Sequence, residues 1–218
     1  MLKGTSARIH LYAAVPAAEA SALEGSERGF STITYEPVAA VVGCQPNRYD
    51  EAHAALRHDR IVGLACETCS SVIPFRLGTD FGSTDEIRGV LSLNTRELHD
   101  QLERFRGRVE MGLKVKLATP TADDPLQLPF GLDRVRSLAP EVANRSERLV
   151  QSGSGRTFDG CYLIPRWSVE DFWQALDGIR RLAPEMPLLG SGPWAAYSFC
   201  DVALRRGAEP DRSVPESR

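Results

Sequence analysis

The sequence lacks a long hydrophobic run. None of its apolar stretches approaches the ~20 consecutive residues that a membrane-spanning helix needs. Residues 1–8, which read MLKGTSAR, also lack the apolar core and the small-residue cleavage site of a secretory signal peptide. We therefore expect a protein that stays in the cytoplasm and has no membrane partner.

The sequence also lacks an excess of positive charge. It has 26 Lys and Arg against 29 Asp and Glu, a formal net charge of −3, so we predict no nucleic-acid partner. The hydrophobic fraction of 42% and the charged fraction of 25% are ordinary for a soluble globular protein. A length of 218 residues is enough for one large domain or two small ones.

Cysteine and histidine are too few, and too irregularly spaced, to indicate a disulfide framework or a metal site. There are five cysteines, an odd number. Cys66 and Cys69 form a Cys-x-x-Cys pattern, but there is no second pair that would complete a zinc site. His53 and His58 are five residues apart rather than the four that place two ligands on one helical face. We predict no bound metal and interpret Cys66 and Cys69 as buried thiols without a functional role; a redox site or a cysteine enzyme is the alternative.

Signatures of catalysis and of cofactor binding are missing as well. The sequence has no Gly-x-Ser-x-Gly motif, no phosphate-binding glycine loop and no paired-carboxylate signature. The segments 153–155 and 190–192, both Gly-Ser-Gly, are too short for a dinucleotide-binding loop. We therefore predict a protein that is not an enzyme and that has no cofactor.

The first half of the chain predicts a compact α+β unit. The predicted elements, in order, are strands over 8–15, 30–36 and 38–42, a helix from Asn47 or Asp50 to about Cys69, a strand over 72–77 and two helices within 84–106. Ser83 and Glu86 have the spacing of a capping box at the first of these two helices, and residues 94–97 repeat that spacing.

The second half predicts a ferredoxin-like layer. Residues 108–117 alternate strictly between apolar and polar side chains, which is typical of a strand. Two short helices broken at Pro140 are predicted within 132–150, followed by a linker over 151–157, a strand over 158–164, a helix capped by Ser168 and an extended segment over 187–194. This order of elements predicts an antiparallel sheet with helices covering one of its faces.

The stretch Val-Ile-Pro-Phe-Arg-Leu-Gly-Thr-Asp-Phe, residues 72–81, is the most distinctive in the chain. Pro74 removes one backbone donor, so this strand should lie at a sheet edge. Arg76 is a charged residue in an apolar strand, and burying it requires a carboxylate partner. Either a structural ion pair or an anion-binding arginine would explain it.

Five blocks of the sequence, in one order, resemble the gas vesicle GvpF/GvpL family. Residues 72–81 resemble the family's Val-Leu-Pro-x-Arg-Phe-Gly-Thr-x-Phe, and residues 191–199, Ser-Gly-Pro-Trp-Ala-Ala-Tyr-Ser-Phe, resemble its Thr-Gly-Pro-Trp-Pro-Pro-Tyr-x-Phe. Residues 58–62, 107–115 and 158–163 resemble its His-x-x-Val-Val/Leu, Gly-x-x-Glu-Trp-x-x-Lys-Val and Ala-Tyr-Leu blocks. The chain departs from the family pattern at four positions: Leu77, Met111, Ala195 and Ala196.

This resemblance implies a fold of two α+β domains. The N-terminal domain would cover 1–105, with the helices of 84–106 at the junction, and a modified ferredoxin-like domain with a helical insertion would cover 106–203. A disordered tail, 204–218, would follow. The implied function is that of a gas vesicle accessory or minor structural protein, which binds the hydrophobic shell protein GvpA together with other gas vesicle accessory proteins and assists nucleation and assembly. The competing hypothesis is a ferredoxin-like small-molecule-binding or monooxygenase-like module, which needs a roomy pocket between sheet and helices.

Five residues in the family-like blocks are structural or interface candidates. We predict that Arg76 pairs with Glu110, since both lie on polar strand faces, and that Lys114 belongs to the same strand face as Glu110. We predict that Trp194 and Tyr197 pack between the domains, because Gly192-Pro193 would bend the chain inward there. The shell protein would add to an exposed strand, with residues 30–36 as the predicted edge.

Overall fold

Two antiparallel sheets with helices packed on them make up the described part of the chain. The computed structural model describes residues 8–24, 29–44, 51–117, 131–152 and 155–206. The first sheet lies within residues 9–81 and the second within residues 108–194. This mixture of helices and antiparallel sheets confirms the predicted α+β class.

The first sheet has the strand order β2-β3-β1-β4, and β5 also pairs with β1. The predicted strands and the predicted helix are present, with slightly different ends. The elements of this part are β1 (Ile9–Pro16), α1 (Ala20–Glu24), β2 (Ser31–Tyr35), β3 (Val38–Cys44), α2 (Glu51–Thr68), β4 (Ile73–Pro74), β5 (Asp80–Phe81) and α3 (Thr84–Phe105). The two predicted caps of α2, Asn47 and Asp50, lie outside the described residues.

Strand β1 has helices on both of its faces, so nearly all of it is buried. Leu11 and Ala14 belong to the apolar cluster under α3, whereas Tyr12, Ala13 and Val15 belong to the cluster under α2. Leu11 pairs with Val42, and Ala13 pairs with the adjacent Val41 of β3. Tyr12, between Leu11 and Ala13, is therefore the extra residue of a β-bulge. A bulge puts two consecutive side chains on one face. For this reason Tyr12 and Ala13 both point towards α2.

The predicted strand over 72–77 is much shorter in the structure. Only Ile73 and Pro74 pair with β1, at Ala14 and Ala13. The strand lies at the edge of the sheet order, as Pro74 predicts. Beyond Phe75 the chain turns, and both the backbone N–H and the hydroxyl of Thr79 donate to the Arg76 carbonyl.

One continuous helix, α3, replaces the two helices predicted within 84–106. The predicted cap at its start is confirmed, because the N–H of Glu86 donates to Ser83 Oγ at 3.2 Å. The second cap is wrong. Asn94 lies in the helix interior, is buried, and donates from Nδ2 to the Val90 carbonyl. Tertiary contacts therefore override the local signal for a helix start.

The second sheet has the connectivity and strand order of a ferredoxin-like layer; the sequence predicted such a layer but not its strand order. Its order is β7-β8-β6-β9, and every pairing is antiparallel. Helices α4 and α5 cover one face, above buried residues of β6 and β8. The elements are β6 (Arg108–Leu117), α4 (Leu132–Arg136), β7 (Arg145–Ser152), β8 (Gly155–Pro165), α5 (Val169–Leu182) and β9 (Leu188–Trp194).

Two predictions for residues 132–157 are wrong. The second predicted helix and the linker are replaced by the hairpin of β7 and β8, in which all eight residues of β7 pair with β8. Ion pairs hold this strand in place: Glu147 with Arg136 at 2.7 Å and Arg148 with Asp159 at 2.7 Å. The composition of β7 suits a helix, but pairing with a neighbouring strand decides the outcome.

The helix predicted after Ser168 is present as α5, although Ser168 does not cap it. The Ser168 hydroxyl donates to the Pro165 carbonyl instead of accepting from the first turn of the helix. The apolar face of α5 packs on the sheet through Phe172, Ala175, Leu176 and Ile179, all of them buried. The apolar periodicity was therefore a better guide than the cap residue.

Residues 195–206, here called the C-terminal strap, run from the end of β9 back onto the first half of the molecule. Ala196 and Phe199 join the cluster under α3, and Val202 and Leu204 pack against it. The predicted start of a disordered tail at residue 204 is therefore too early; residues 207–218 lie outside the described residues. The division into domains at 105/106 stays a prediction.

No helix in the described ranges combines the length and the apolar character needed to cross a membrane.

Candidate functional site

The predicted ion pair between Arg76 and Glu110 is wrong. Arg76 is exposed because β4 ends at Pro74, two residues earlier, and Arg76 begins a turn. No carboxylate of the described residues forms a salt bridge with it. Arg76 and Arg206 line an open groove of about 670 Å³ beside the C-terminal strap. The anion-binding interpretation of Arg76 stays a prediction.

Glu110 is buried, and its partner is the C-terminal strap. One carboxylate oxygen accepts from the backbone N–H of Ser198 and the other from its hydroxyl, each at 2.7 Å. Burial raises the pKa of the Glu110 carboxyl, and the hydrogen bonds from Ser198 oppose that shift. Glu110 therefore ties the second sheet to the strap rather than to the 72–81 stretch.

Lys114 lies on the face of β6 that is turned away from α4 and α5. Its side chain is exposed, and it stands across from Asp159 on β8 and Leu189 on β9. Leu189 is exposed as well. This face of the second sheet is therefore mixed in character, and an interface role for Lys114 stays a prediction.

The prediction that Trp194 is packed inside the molecule is also wrong, since 46% of the residue is exposed. Gly112 pairs with Ser191 and Glu110 pairs with Trp194. Two steps along β6 therefore correspond to three steps along β9, which is a β-bulge in β9. This bulge lies at Gly192, whose φ of +114° and close approach to the Glu110 carbonyl suit only glycine. The bulge turns Trp194 towards the rim of a cavity.

That cavity has a volume of about 230 Å³ and lies between α2 and the end of β9. It is here called the α2–β9 cleft. Its lining combines apolar groups with three charged side chains, one basic and two acidic. The residues are Asp59, Val62, Gly63, Cys66, Glu67, Val109, Arg166, Pro193, Trp194, Ala195 and Tyr197.

Tyr197 connects this cleft to a chain of buried polar side chains. Its hydroxyl lies 3.2 Å from Nε2 of His58 on α2. Nδ1 of His58 lies 2.9 Å from Nε2 of His10 on β1, and Nδ1 of His10 lies 2.6 Å from a carboxylate oxygen of Asp80 on β5. Both histidines are buried. Tyr197 thus joins the C-terminal strap to α2, and part of its ring is exposed at the cleft; its packing role between the domains stays a prediction.

Sequence reasoning missed this chain because it treated the four histidines as unrelated. His10 is a polar residue within the apolar strand of residues 9–16, and such a residue needs a buried partner. That signal could have identified His10. Its partners are 48 and 70 residues away along the sequence, and only the fold brings them together.

The thiols of Cys66 and Cys69 are poor nucleophiles in this structure. Burial raises the pKa of Cys66 to about 11 and that of Cys69 to about 12. A thiol with such a pKa is almost entirely protonated at neutral pH, whereas catalytic cysteines have lowered values. No group of three or more candidate metal ligands occurs among the residues that the structure describes. The cysteine-enzyme alternative thus finds no support here.

The sequence is similar to gas vesicle proteins over nearly its whole length. Residues 8–128 and 131–201 match the family described as gas vesicle synthesis protein GvpL/GvpF. The chain is 29% identical over 208 residues to gas vesicle protein F of Haloferax mediterranei, covering 89% of this chain and 91% of the relative. It is 25% identical over 190 residues to gas vesicle protein L of a Streptomyces species, covering 70% of each.

Solved structures support the same fold. The gas vesicle protein GvpF of Anabaena superposes with a TM-score of 0.75 at 13% identity, covering 94% of this chain and 100% of that one. The GvpF of Microcystis aeruginosa superposes with a TM-score of 0.70 at 13% identity, covering 90% and 100%.

Proposed function

Since the chain belongs to the GvpL/GvpF family of gas vesicle synthesis proteins, we propose that it is a non-enzymatic assembly factor of the gas vesicle. It binds the small hydrophobic shell protein GvpA, assists vesicle nucleation, and works in the cytoplasm at the growing vesicle with other accessory proteins. The family match, which runs through both sheets and most of the C-terminal strap, is the observation that carries this proposal.

The proposed role has a physical rationale. A shell protein whose apolar surface must face gas exposes that surface to water before assembly, and such surfaces aggregate. A partner that offers unpaired backbone groups at a sheet edge can hold an extended apolar segment without requiring particular side chains. Such a partner would keep the shell protein available for nucleation.

Strand β2, the predicted contact strand, lies at the edge of the first sheet. The N–H of Thr32 donates to the Glu24 carboxylate at 2.6 Å instead of to β3. Alternate residues of an edge strand point their backbone groups the same way, so the N–H of Thr34 also points away from β3. It has no hydrogen-bond partner among the described residues. The open part of this edge therefore centres on Thr34.

Thr34 allows a sharp test of both the function and the contact. Purified full-length protein should keep co-expressed GvpA soluble and should be recovered with it. Thr34→Pro removes the outward donor without removing a ladder bond to β3, whereas Thr34→Ala keeps the donor and removes only the side chain. We expect Thr34→Pro to lose capture of the shell protein and Thr34→Ala to retain it.

The outcomes separate the two parts of the proposal. If the unaltered protein captures no shell protein, and vesicles form normally when its gene is deleted, the assembly function is wrong. If the unaltered protein and Thr34→Pro capture equally well, the function stands and the contact lies elsewhere. Circular dichroism of each variant shows whether its fold is intact.

The competing small-molecule module needed a pocket between the second sheet and its helices. That space is filled by buried side chains, among them Met111, Tyr162, Phe172, Leu176 and Ile179. The α2–β9 cleft, of about 230 Å³, and the groove of about 670 Å³ beside the C-terminal strap both lie outside that space. The filled space between sheet and helices therefore favours the assembly factor.

A further inference from the structure

The side of α2 that lines the α2–β9 cleft carries two carboxylates without a partner. Asp59 and Glu67 are both exposed, and neither forms a salt bridge or a side-chain hydrogen bond with any residue that the structure describes. Residues four apart are neighbours on one face of a helix, so Asp59, Gly63 and Glu67 form a row along the cleft. Both carboxylates therefore keep their full capacity to accept hydrogen bonds from an incoming cation.

Gly63, in the middle of that row, is not required by the packing of the molecule. A glycine in a helix interior destabilises the helix relative to alanine. A Cβ placed at Gly63 would meet nothing within 4 Å. Gly89 of α3 is equally open, but it does not line the cleft. The missing side chain of Gly63 leaves a gap between the two carboxylates, through which a group in the cleft can reach the backbone of α2.

The opposite wall of the cleft presents an aromatic ring. The bulge at Gly192 turns Trp194 to the rim, where 46% of the residue is exposed. No guanidinium of the described residues lies over its ring. Tyr197, the other aromatic residue of the lining, is held through its hydroxyl by His58. The Trp194 indole is therefore available for stacking with a group that enters the cleft.

Charge and size restrict what the cleft can hold. Its two acidic residues and its one basic residue leave one net negative charge. The basic residue, Arg166, directs its guanidinium towards the Cys69 carbonyl, 3.5 Å away. The volume of about 230 Å³ is below the roughly 300–1,000 Å³ of sites that enclose whole small molecules. A single cationic side chain suits both limits.

Arginine matches the walls of the cleft better than lysine does. Its guanidinium is planar, stacks on aromatic rings, donates to carboxylates and is more weakly hydrated than an ammonium group. We propose that the α2–β9 cleft is a docking site for an arginine side chain of a partner protein. The guanidinium enters the gap at Gly63, stacks on Trp194 and is attracted by Asp59 and Glu67. This inference does not depend on the shell-protein contact proposed at β2.

Short peptides test the site on the full-length protein. The probe is acetyl-Ala-Arg-Ala-amide, and its control contains citrulline, which has the shape of arginine without the charge. Binding is followed at pH 7 and constant ionic strength by the NMR signal of the Trp194 indole N–H, which is assigned by its loss in Trp194→Phe. We expect the arginine peptide to bind about fivefold or more tightly than the citrulline peptide, and more tightly than a lysine peptide.

Two sets of variants separate the charges from the gap. Replacing both carboxylates, Asp59→Asn with Glu67→Gln, should weaken binding of the arginine peptide about three- to tenfold. Gly63→Ala should weaken it about fivefold or more, because the added methyl group fills the gap. Gly89→Ala is the matched control and should bind like the unaltered protein. Both alanine variants should have a higher urea midpoint, since each removes a helix glycine in open space.

Several results would overturn the proposal. One is equal binding of the arginine and citrulline peptides, and another is a lysine peptide that binds as tightly as the arginine peptide. Undiminished binding in Gly63→Ala, or in the variant without the two carboxylates, would show that the peptide lies outside the cleft. A loss in Gly89→Ala equal to that in Gly63→Ala would show that the gap in α2 is not what is recognised.

Discussion

At the scale of single residues, polar groups behave according to what surrounds them in space. Glu110 and Arg76 both lie in family-like blocks, yet one is buried against Ser198 and the other lies on the surface. A carboxylate that accepts two hydrogen bonds needs no cation. The partner of Glu110 is a backbone N–H and a hydroxyl, which no charge pattern in the sequence could indicate.

We expect Glu110→Ala to lower the free energy of unfolding at pH 7 by about 2–4 kcal/mol, because it leaves buried donors of Ser198 without an acceptor. Glu110→Gln should cost less than about 1 kcal/mol, since its amide oxygen accepts from the N–H and its amide nitrogen donates to the hydroxyl. Urea denaturation measures both. Equal losses in the two variants would contradict the proposed contact.

The unaltered protein and Glu110→Gln should differ in how their free energy of unfolding depends on pH. The folded-state pKa of Glu110 is raised, so its protonated form contributes stability that is present below the unfolded pKa and is lost as pH rises through the folded value. Glu110→Gln has no such group. Its stability relative to the unaltered protein should therefore increase from pH 4 to pH 7, as followed by denaturation at each pH.

Trp194 should matter less for stability than its size suggests. With 46% of its surface exposed, we expect Trp194→Ala to cost about 1–2 kcal/mol instead of the ~3–5 kcal/mol of a fully buried aromatic residue. Phe172→Ala, at a position with no exposed surface, is the control and should show the full loss. Thermal or urea unfolding of the two variants compares them directly.

The thiols of Cys66 and Cys69 should be slow to react. The pKa of Cys66, about 11 against an ordinary 9, leaves roughly a hundredfold less thiolate at pH 8. We expect a thiol reagent to label the exposed Cys44 first, the partly exposed Cys66 much more slowly, and the buried Cys69 only on unfolding. Replacing Cys66 and Cys69 together with Ala or Ser should leave function intact. Stoichiometric zinc, or rapid labelling of Cys66, would contradict this.

At the scale of elements, α3 does more than cover a sheet. Asn94 in its middle donates to the Arg205 carbonyl at 2.9 Å and accepts from the Arg205 N–H at 3.0 Å. The side chain that suggested a helix start thus fastens the C-terminal strap. A buried amide paired with a backbone segment 111 residues away is a tertiary contact that local sequence patterns do not record.

Asn94→Ala should release the end of the strap. We expect a loss of about 2–3 kcal/mol in unfolding free energy, because the Arg205 backbone groups lose their partner, and faster hydrogen exchange at residues 203–206. Thr95→Ala is the matched control; its hydroxyl bonds only to carbonyls of its own helix, and it should cost less than about 0.5 kcal/mol. Equal losses of unfolding free energy in the two variants would show that Asn94 does not hold the strap.

At the scale of the whole molecule, the two sheets share part of their packing. Leu163 of β8 lies in the same apolar cluster as residues of β1, β3 and α3, together with Ala196 and Phe199 of the strap. Because both halves contribute to this cluster, unfolding of one half removes packing from the other, and the two should unfold together. The predicted domain boundary at 105/106 therefore separates two elements, α3 and β8, that contribute to one apolar cluster.

We expect the protein to unfold in a single transition. All three tryptophans, Trp167, Trp173 and Trp194, lie in the second half, so their fluorescence reports on that half alone, whereas far-UV circular dichroism reports on the whole chain. The two signals should have coincident midpoints in urea. In Phe199→Ala, which weakens the shared cluster, the midpoints should separate; separation in the unaltered protein would show two independently folding domains.

The sequence by itself determined the α+β class, the main strands and helices, and the family, because these depend on local periodicity and on contiguous blocks. The alternation of residues 108–117 appears as β6, and the cap at Ser83 starts α3. Such signals survive in any tertiary context, since they reflect which face of an element is apolar.

Only the tertiary structure decided the partners of the polar and aromatic residues. Glu110 bonds to Ser198 instead of Arg76, the bulge in β9 turns Trp194 outward, and residues 145–152 form a strand because β8 lies beside them. The histidine chain joins residues that are distant in sequence. A hydrogen bond or a bulge depends on distances of a few tenths of an ångström between separate elements, and periodicity along one element carries no information about them.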